Sequence, residues 1–159
     1  MSVKLKGYPG IQQLGDWDCG VAALQSLLLY YGKHAKYSEL SQLLEASIDG
    51  VTPDKMKNAL GYYGIRFSPM NNNLELVKSS LNDGHPSLVL IQHDRDMYTM
   101  WEEEWKYGHW VAIIGYTKRS VTLADPGDGK ASNMLEREFR KRWHDIGHEQ
   151  YALITHGVS

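Results

Sequence analysis

Gln13-Leu-Gly-Asp-Trp-Asp-Cys19-Gly20-Val21-Ala-Ala-Leu-Gln-Ser-Leu-Leu-Leu-Tyr-Tyr31 is the stretch whose reading decides the fold. It holds the only cysteine of the chain, placed at the start of an apolar run that Gly32 closes. Asp18 is a good helix N-cap, and Leu24, Leu27, Leu28 and Tyr31 recur at three and four, so the run is expected to be a helix with one buried face. A thiol in the first turn of a helix meets the positive end of the dipole and free backbone N–H groups. Both favour the thiolate, the nucleophilic form. Downstream, Gly108-His109-Trp110 opens a strand-like run and Ala124-Asp125-Pro126 closes the next. Cys, His and Asp, each at the edge of a regular element, are the components of a thiol hydrolase.

Outward from that helix the first half reads as helical. A second short helix begins at Ser38 with Leu40, Leu43 and Leu44. A third begins at Thr52-Pro53, cap then proline, and ends at Gly64. Asn73 caps a fourth, ended by Gly84. The second half changes period: Ser87–Ile91, Trp110–Tyr116, Val121–Ala124 and Tyr151–Ile154 read as strands, with a turn at 118–120 and a helix over 135–143. Helices followed by an antiparallel sheet is an α+β order. The 159 residues suit one domain, 1–159, with a helical half over about 10–84 and a sheet half over about 85–157. Between two strands, Asp94 to Tyr107 places Met97, Trp101 and Trp105 on one face and reads as a short amphipathic helix.

The bulk properties narrow the function classes. A net charge of −2 with mixed signs argues against a nucleic-acid-binding face. No apolar stretch approaches the roughly 20 residues of a membrane span, and the start lacks a secretory h-region, so no membrane insertion and a cytoplasmic location are expected. One cysteine forms no internal disulfide, which fits a reducing compartment or a thiol kept free for chemistry. Ten Tyr and five Trp against two Phe suit a binding cleft as well as an ordinary core. His144 and His148 are four apart like a metal pair on a helix, but Gly147 interrupts that helix and no third ligand is evident. No metal and no cofactor are expected; oligomeric state is open.

In an antiparallel hairpin the start of one strand lies beside the end of its partner, so His109 and Asp125 are expected to meet at one sheet edge. Cys19 is then the nucleophile, His109 the base and later acid, and Asp125 its orienting carboxylate. The backbone N–H of Cys19 and the Gln13 amide are the oxyanion donors, with Gln12 the alternative if the register slips by one. Asp16 and Asp18 stand close to a thiol that carboxylates would disfavour as an anion, so Asp18 is expected to point away from the sulfur. Trp17, Trp105, Gly108 and Trp110 are expected to bind substrate. Trp101 and Tyr107 are candidates for a cleft wall, and Glu102, Glu103 and Glu104 form a charge run expected on a solvated face.

Gln13-x5-Cys19-Gly20, the following helix ending Tyr-Tyr-Gly32, Gly108-His109-Trp110-Val-Ala-Ile-Ile-Gly, and Ala124-Asp125-Pro126 together resemble the C39 peptidases. Leu135-Glu-Arg-Glu-Phe139-x3-Trp143 is similar to the last helix of stand-alone C39-like domains. The likeness covers about residues 10 to 155. It implies a papain-like fold, with a helical half carrying the thiol and a sheet half carrying His and Asp. It also implies Gln13, Cys19, His109 and Asp125 as oxyanion-hole residue, nucleophile, base and orienting acid. The expected activity is hydrolysis of a peptide or related amide bond through an acyl-thioester on Cys19, with a leader-type or double-glycine peptide as one candidate among peptide or protein substrates. Two alternatives stay open: acyl transfer or transpeptidation from the same thioester, and a non-catalytic peptide-binding module. A bacterial origin is implied by the resemblance alone.

Overall fold

The computed structural model describes residues 2–159. α1 (Cys19–Tyr30) is buried nearly all round, with Val21, Ala22, Leu24, Leu27 and Leu28 fully excluded from solvent. A helix apolar on every side has to be a central one, and α1 packs against β4 (Gly108–Tyr116) at the middle of the sheet. It ends where Gly32 takes φ +76°, a left-handed conformation that glycine adopts at no steric cost. α2 (Tyr37–Leu43) anchors through Leu40, and α3 (Pro53–Tyr62) through Met56, Ala59 and Leu60. The Thr52 hydroxyl accepts the Lys55 N–H at 3.3 Å, a cap worth about 1 kcal/mol. Asn73 does the same for Leu76 at 3.1 Å and starts α4 (Leu74–Asn82). α5 (Glu136–Arg142) buries Phe139.

One antiparallel sheet carries the rest. β1 (Val3–Lys4) pairs with β4; the remaining order is β2 (Ile65–Asn71), β9 (Tyr151–Val158), β3 (Ser87–Gln92), β4, β5 (Ser120–Asp125) and β6 (Lys130–Leu135). β7 (His144–Asp145) and β8 (His148–Glu149) form a separate small hairpin. β3, β4 and β9 each hold a buried run of apolar residues and are central, as strands covered on both faces are. Among the described residues, no helix is long and apolar enough to cross a membrane.

The α+β order is as expected, but the two halves interlock. β2 lies in the chain's helical half and pairs with β9 along its whole length. It was not legible because Pro69 interrupts it. As an edge strand it tolerates a residue that donates no N–H. β6 is the other edge, and its mostly exposed Lys-Ala-Ser-Asn-Met-Leu has no apolar period to detect.

Segment 94–107 is not the expected amphipathic helix. Only Trp101–Glu103 is helical, a single turn of 3₁₀ type. Tyr98 has φ +69° and Met97 is exposed, so no continuous helical face exists. The segment winds instead around Glu104, which is buried rather than solvated. Its carboxylate accepts from the backbone N–H groups of Asp96, Trp105 and Lys106. Lys106 pairs with Asp96 at 2.6 Å, and the Trp101 ring is flanked by the guanidinium groups of Arg95 and, at 4.1 Å, Arg142 of α5.

Candidate active site

Cys19 is the first residue of α1 and is almost fully covered. The Trp110 backbone N–H donates to its Sγ at 3.5 Å, tying the helix start to β4. Gly20 makes this approach possible: a Cβ there would lie 2.9 Å from Val51 and 3.2 Å from the Trp110 ring. Asp18 is at the N-cap position but its carboxylate caps nothing. It accepts instead from the Tyr37 hydroxyl at 3.4 Å, and that hydroxyl in turn accepts the Leu14 N–H. Asp18→Asn is therefore expected to keep turnover within about threefold of wild type. A natively folded variant that lost all activity in a cleavage assay would give Asp18 a chemical role.

His109 lies at the start of β4 and Asp125 at the end of β5, and the pairing of Ala112 with Ala124 brings those ends together. His109 Nε2 meets Asp125 Oδ1 at 2.6 Å. Asp125 Oδ1 also accepts from the Gly127 N–H at 2.8 Å, which fixes its direction. His109 is buried, and burial alone would disfavour its charge. The hydrogen bonds with Asp125 and Cys19, and the charges of both, outweigh that penalty and lift its pKa to about 9. Burial likewise pushes Asp125 up, but the His109 hydrogen bond and charge and the Gly127 N–H hold it below the usual carboxylate range. At neutral pH the ring is thus an imidazolium held between a carboxylate and a sulfur.

Gln13 is strapped to the loop after Asp125, its backbone N–H donating to the Pro126 carbonyl at 2.8 Å. It lines a recess of about 600 Å³ together with His109, Asp125 and Gly127. Its Nε2 donates to the Gly15 carbonyl at 2.6 Å, and its Oε1 is buried with no partner among the described residues. An amide nitrogen carries two hydrogens, so one N–H remains beyond that bond.

The recess continues into a cleft of about 950 Å³ with Cys19 and His109 on its wall. Trp17, Trp105 and Gly108 line it, as expected of substrate-binding residues, and so does Tyr107. Trp110 does not. Its indole is 1% exposed and donates to the Val51 carbonyl at 2.8 Å, because the side chains of a strand alternate and its neighbour His109 takes the site face. Trp110 contributes its backbone N–H to the sulfur and its ring to the core. Trp101 stays outside the cleft on its arginines, while Trp105 stacks on His144 at 4.4 Å.

Two further residues at the cleft, Asp145 and His93, had no place in the catalytic reading of the sequence. Asp145 lies over Gly108, where a Cβ would meet its carboxylate at 2.5 to 2.8 Å and push it aside; burial raises the Asp145 pKa. His93 lies against the ring of His109. Neither carries a motif: His93 arrives through the β3–β4 pairing, and Asp145 is held beside β3 by the Gln92 amide. His144 and His148 sit on the β7–β8 hairpin rather than on a helix, and His144 Nε2–H donates to the Glu104 carbonyl at 2.6 Å.

Comparison with known proteins places the chain in a family. The profile of the peptidase C39 family matches residues 7–148. The chain is 27% identical over 147 residues to the lactococcin-A transport/processing ATP-binding protein LcnC of Lactococcus lactis, covering 92% of this chain and 19% of that protein. It is 28% identical over 137 residues to the transport/processing ATP-binding protein ComA of Streptococcus pneumoniae, covering 84% and 17%. The chain thus spans about a fifth of the length of these transporters. Among solved structures, a C39-like peptidase from Bacillus anthracis superposes with a TM-score of 0.79 at 22% identity over 100% of this chain and 99% of that one. A double glycine motif protease from an AMS/PCAT transporter, in complex with the leader peptide, superposes with a TM-score of 0.69 at 21% identity over 99% of each chain. The fold is the papain-like one of C39 peptidase domains, and with the family profile running from ahead of Gln13 to beyond Asp145, the chain belongs to the peptidase C39 family.

Proposed function

We propose that this chain is a cysteine peptidase that hydrolyses a peptide bond through an acyl-thioester on Cys19. The observation that carries the reading is the Cys19–His109–Asp125 chain, buried at its first two members and opening on a cleft large enough for an extended peptide. The Cys19 sulfur attacks the scissile carbonyl carbon. The oxyanion that forms is held by the Cys19 backbone N–H at the start of α1 and by the remaining N–H of Gln13. His109 gives its proton to the leaving nitrogen, the C–N bond breaks and the amine departs. A water then loses a proton to His109 and attacks the thioester; the C–S bond breaks and the acid leaves. Asp125 holds the ring in place through both halves.

The likeness to a protease solved with a leader peptide makes a double-glycine peptide the first substrate to test. Incubation with a double-glycine leader peptide and with a mixed peptide library, read by mass spectrometry, is expected to give discrete cleavage products and, after acid quench, an adduct on Cys19. Full-length peptides and unmodified Cys19 throughout would reject the reading. Products that incorporate an added amine in place of water would assign acyl transfer.

A further inference from the structure

His93 has no role in the scheme above, yet it is built against it. It directly follows β3, and its backbone N–H donates to the Tyr107 carbonyl at 2.9 Å, extending the β3–β4 ladder. Ile91 pairs with His109 across that ladder. Residues two apart on a strand share a face, so His93 falls diagonal to His109 on the same side. The two imidazole centroids are 4.9 Å apart, tilted by 54°. The Tyr107 ring meets the His93 ring edge-on at 5.8 Å and 78°. His93 borders both the Cys19 cleft and the Gln13 recess, and among the described residues its ring nitrogens bond no protein group. We propose that His93 is a positioning residue for the peptidase: its uncharged ring is the wall that holds the His109 imidazolium toward Asp125.

The role requires a neutral ring, because a second cation at this distance would repel the first. The groups that face His93 favour neutrality. Partial burial and the His109 charge push its pKa below the ordinary value, with Arg142 of α5 adding to them. Asp94 beside it and Asp125 at the end of β5 pull the other way and lose. Asp16, on the facing loop, and the Tyr107 hydroxyl, bonded to Asp96, complete the surroundings. On acidification His93 gains a proton and competes with His109 for Asp125, so His93 and His109 titrate as a coupled pair.

The proposal rests on the peptidase reading for its consequence but is tested without a substrate. The His109 ring titration is followed by NMR, and Cys19 alkylation by iodoacetamide across pH, in wild type, His93→Ala, His93→Gln and His93→Phe. Far-UV circular dichroism confirms that each is folded. His93→Ala and His93→Gln are expected to lower the His109 midpoint by about half a unit or more, while His93→Phe, which keeps a ring, restores it. His93→Phe is also expected to carry fast alkylation about one pH unit further into acid, having no proton to gain. A His109 midpoint unchanged in the alanine variant, or lowered as much in the phenylalanine variant, overturns the proposal. Absence of any peptide cleavage with these shifts intact would count against the peptidase reading alone.

Discussion

Cys19→Ala is expected to abolish peptide cleavage, a loss of about 10⁴-fold or more, while the protein stays folded. Nucleophile and base act as one unit, so removing either costs nearly the whole of the covalent route. The fold should tolerate the change, because the sulfur is a small group held by one long N–H···S contact from Trp110 and by the His109 ring. Losing it should cost about 1 kcal/mol of burial. The substitution has a second, independent readout. Cys19 is one of the two partners that raise the His109 pKa to about 9, so the His109 midpoint is expected to fall in the variant while Asp125 keeps its bond. Activity and an NMR titration of the ring check the two parts. Residual cleavage near the wild-type rate would remove the thioester from the mechanism, and an unmoved midpoint would uncouple Cys19 from His109.

His109→Ala is expected to lower turnover by about 10³-fold or more and to change the pH dependence of stability. The leaving amine then has no proton donor. Iodoacetamide labelling of Cys19 is expected to be slower in the variant than in wild type. For stability the sign follows from linkage. Folded His109 holds its proton to about pH 9, whereas an unfolded histidine releases it near 6.5. The charge-dependent advantage of wild type over the variant is therefore fully present below about pH 6.5, shrinks as pH rises and is gone above about 9. At the acid end Asp125, lowered when folded, contributes above its unfolded value and loses that contribution as pH falls through its folded one. Urea denaturation of both proteins across pH checks this. A stability gap that stays constant, or widens, between pH 6.5 and 9 would contradict the ion pair.

The parts that can be read from sequence are those governed by local rules. The starts of α3 and α4 were legible because Thr52 and Asn73 cap their own helices, a contact that spans three residues. β3, β4 and β9 were legible because each holds a buried run of apolar residues. The adjacency of His109 and Asp125 follows from a short turn, which fixes which strand ends meet. Asp18 misled: it has the right residue type for a cap, yet its carboxylate is taken by Tyr37, far along the chain. Trp110 misled for a different reason. Its chemistry suits a cleft, but strand alternation turned it inward the moment His109 faced the site.

Sequence by itself carried the family and the order of helix-borne Cys19, strand-borne His109 and Asp125, because several short motifs in one order, each weak alone, encode them together. Tertiary structure decided the rest. It placed β2 beside β9, buried Glu104 to shape segment 94–107, laid Asp145 over Gly108 and set the His93 ring against His109. These contacts join residues whose meeting depends on sheet order, on edge pairing and on charges satisfied by backbone groups elsewhere. No periodicity or spacing records such pairings, because their free energy arises only once the strands have been brought together.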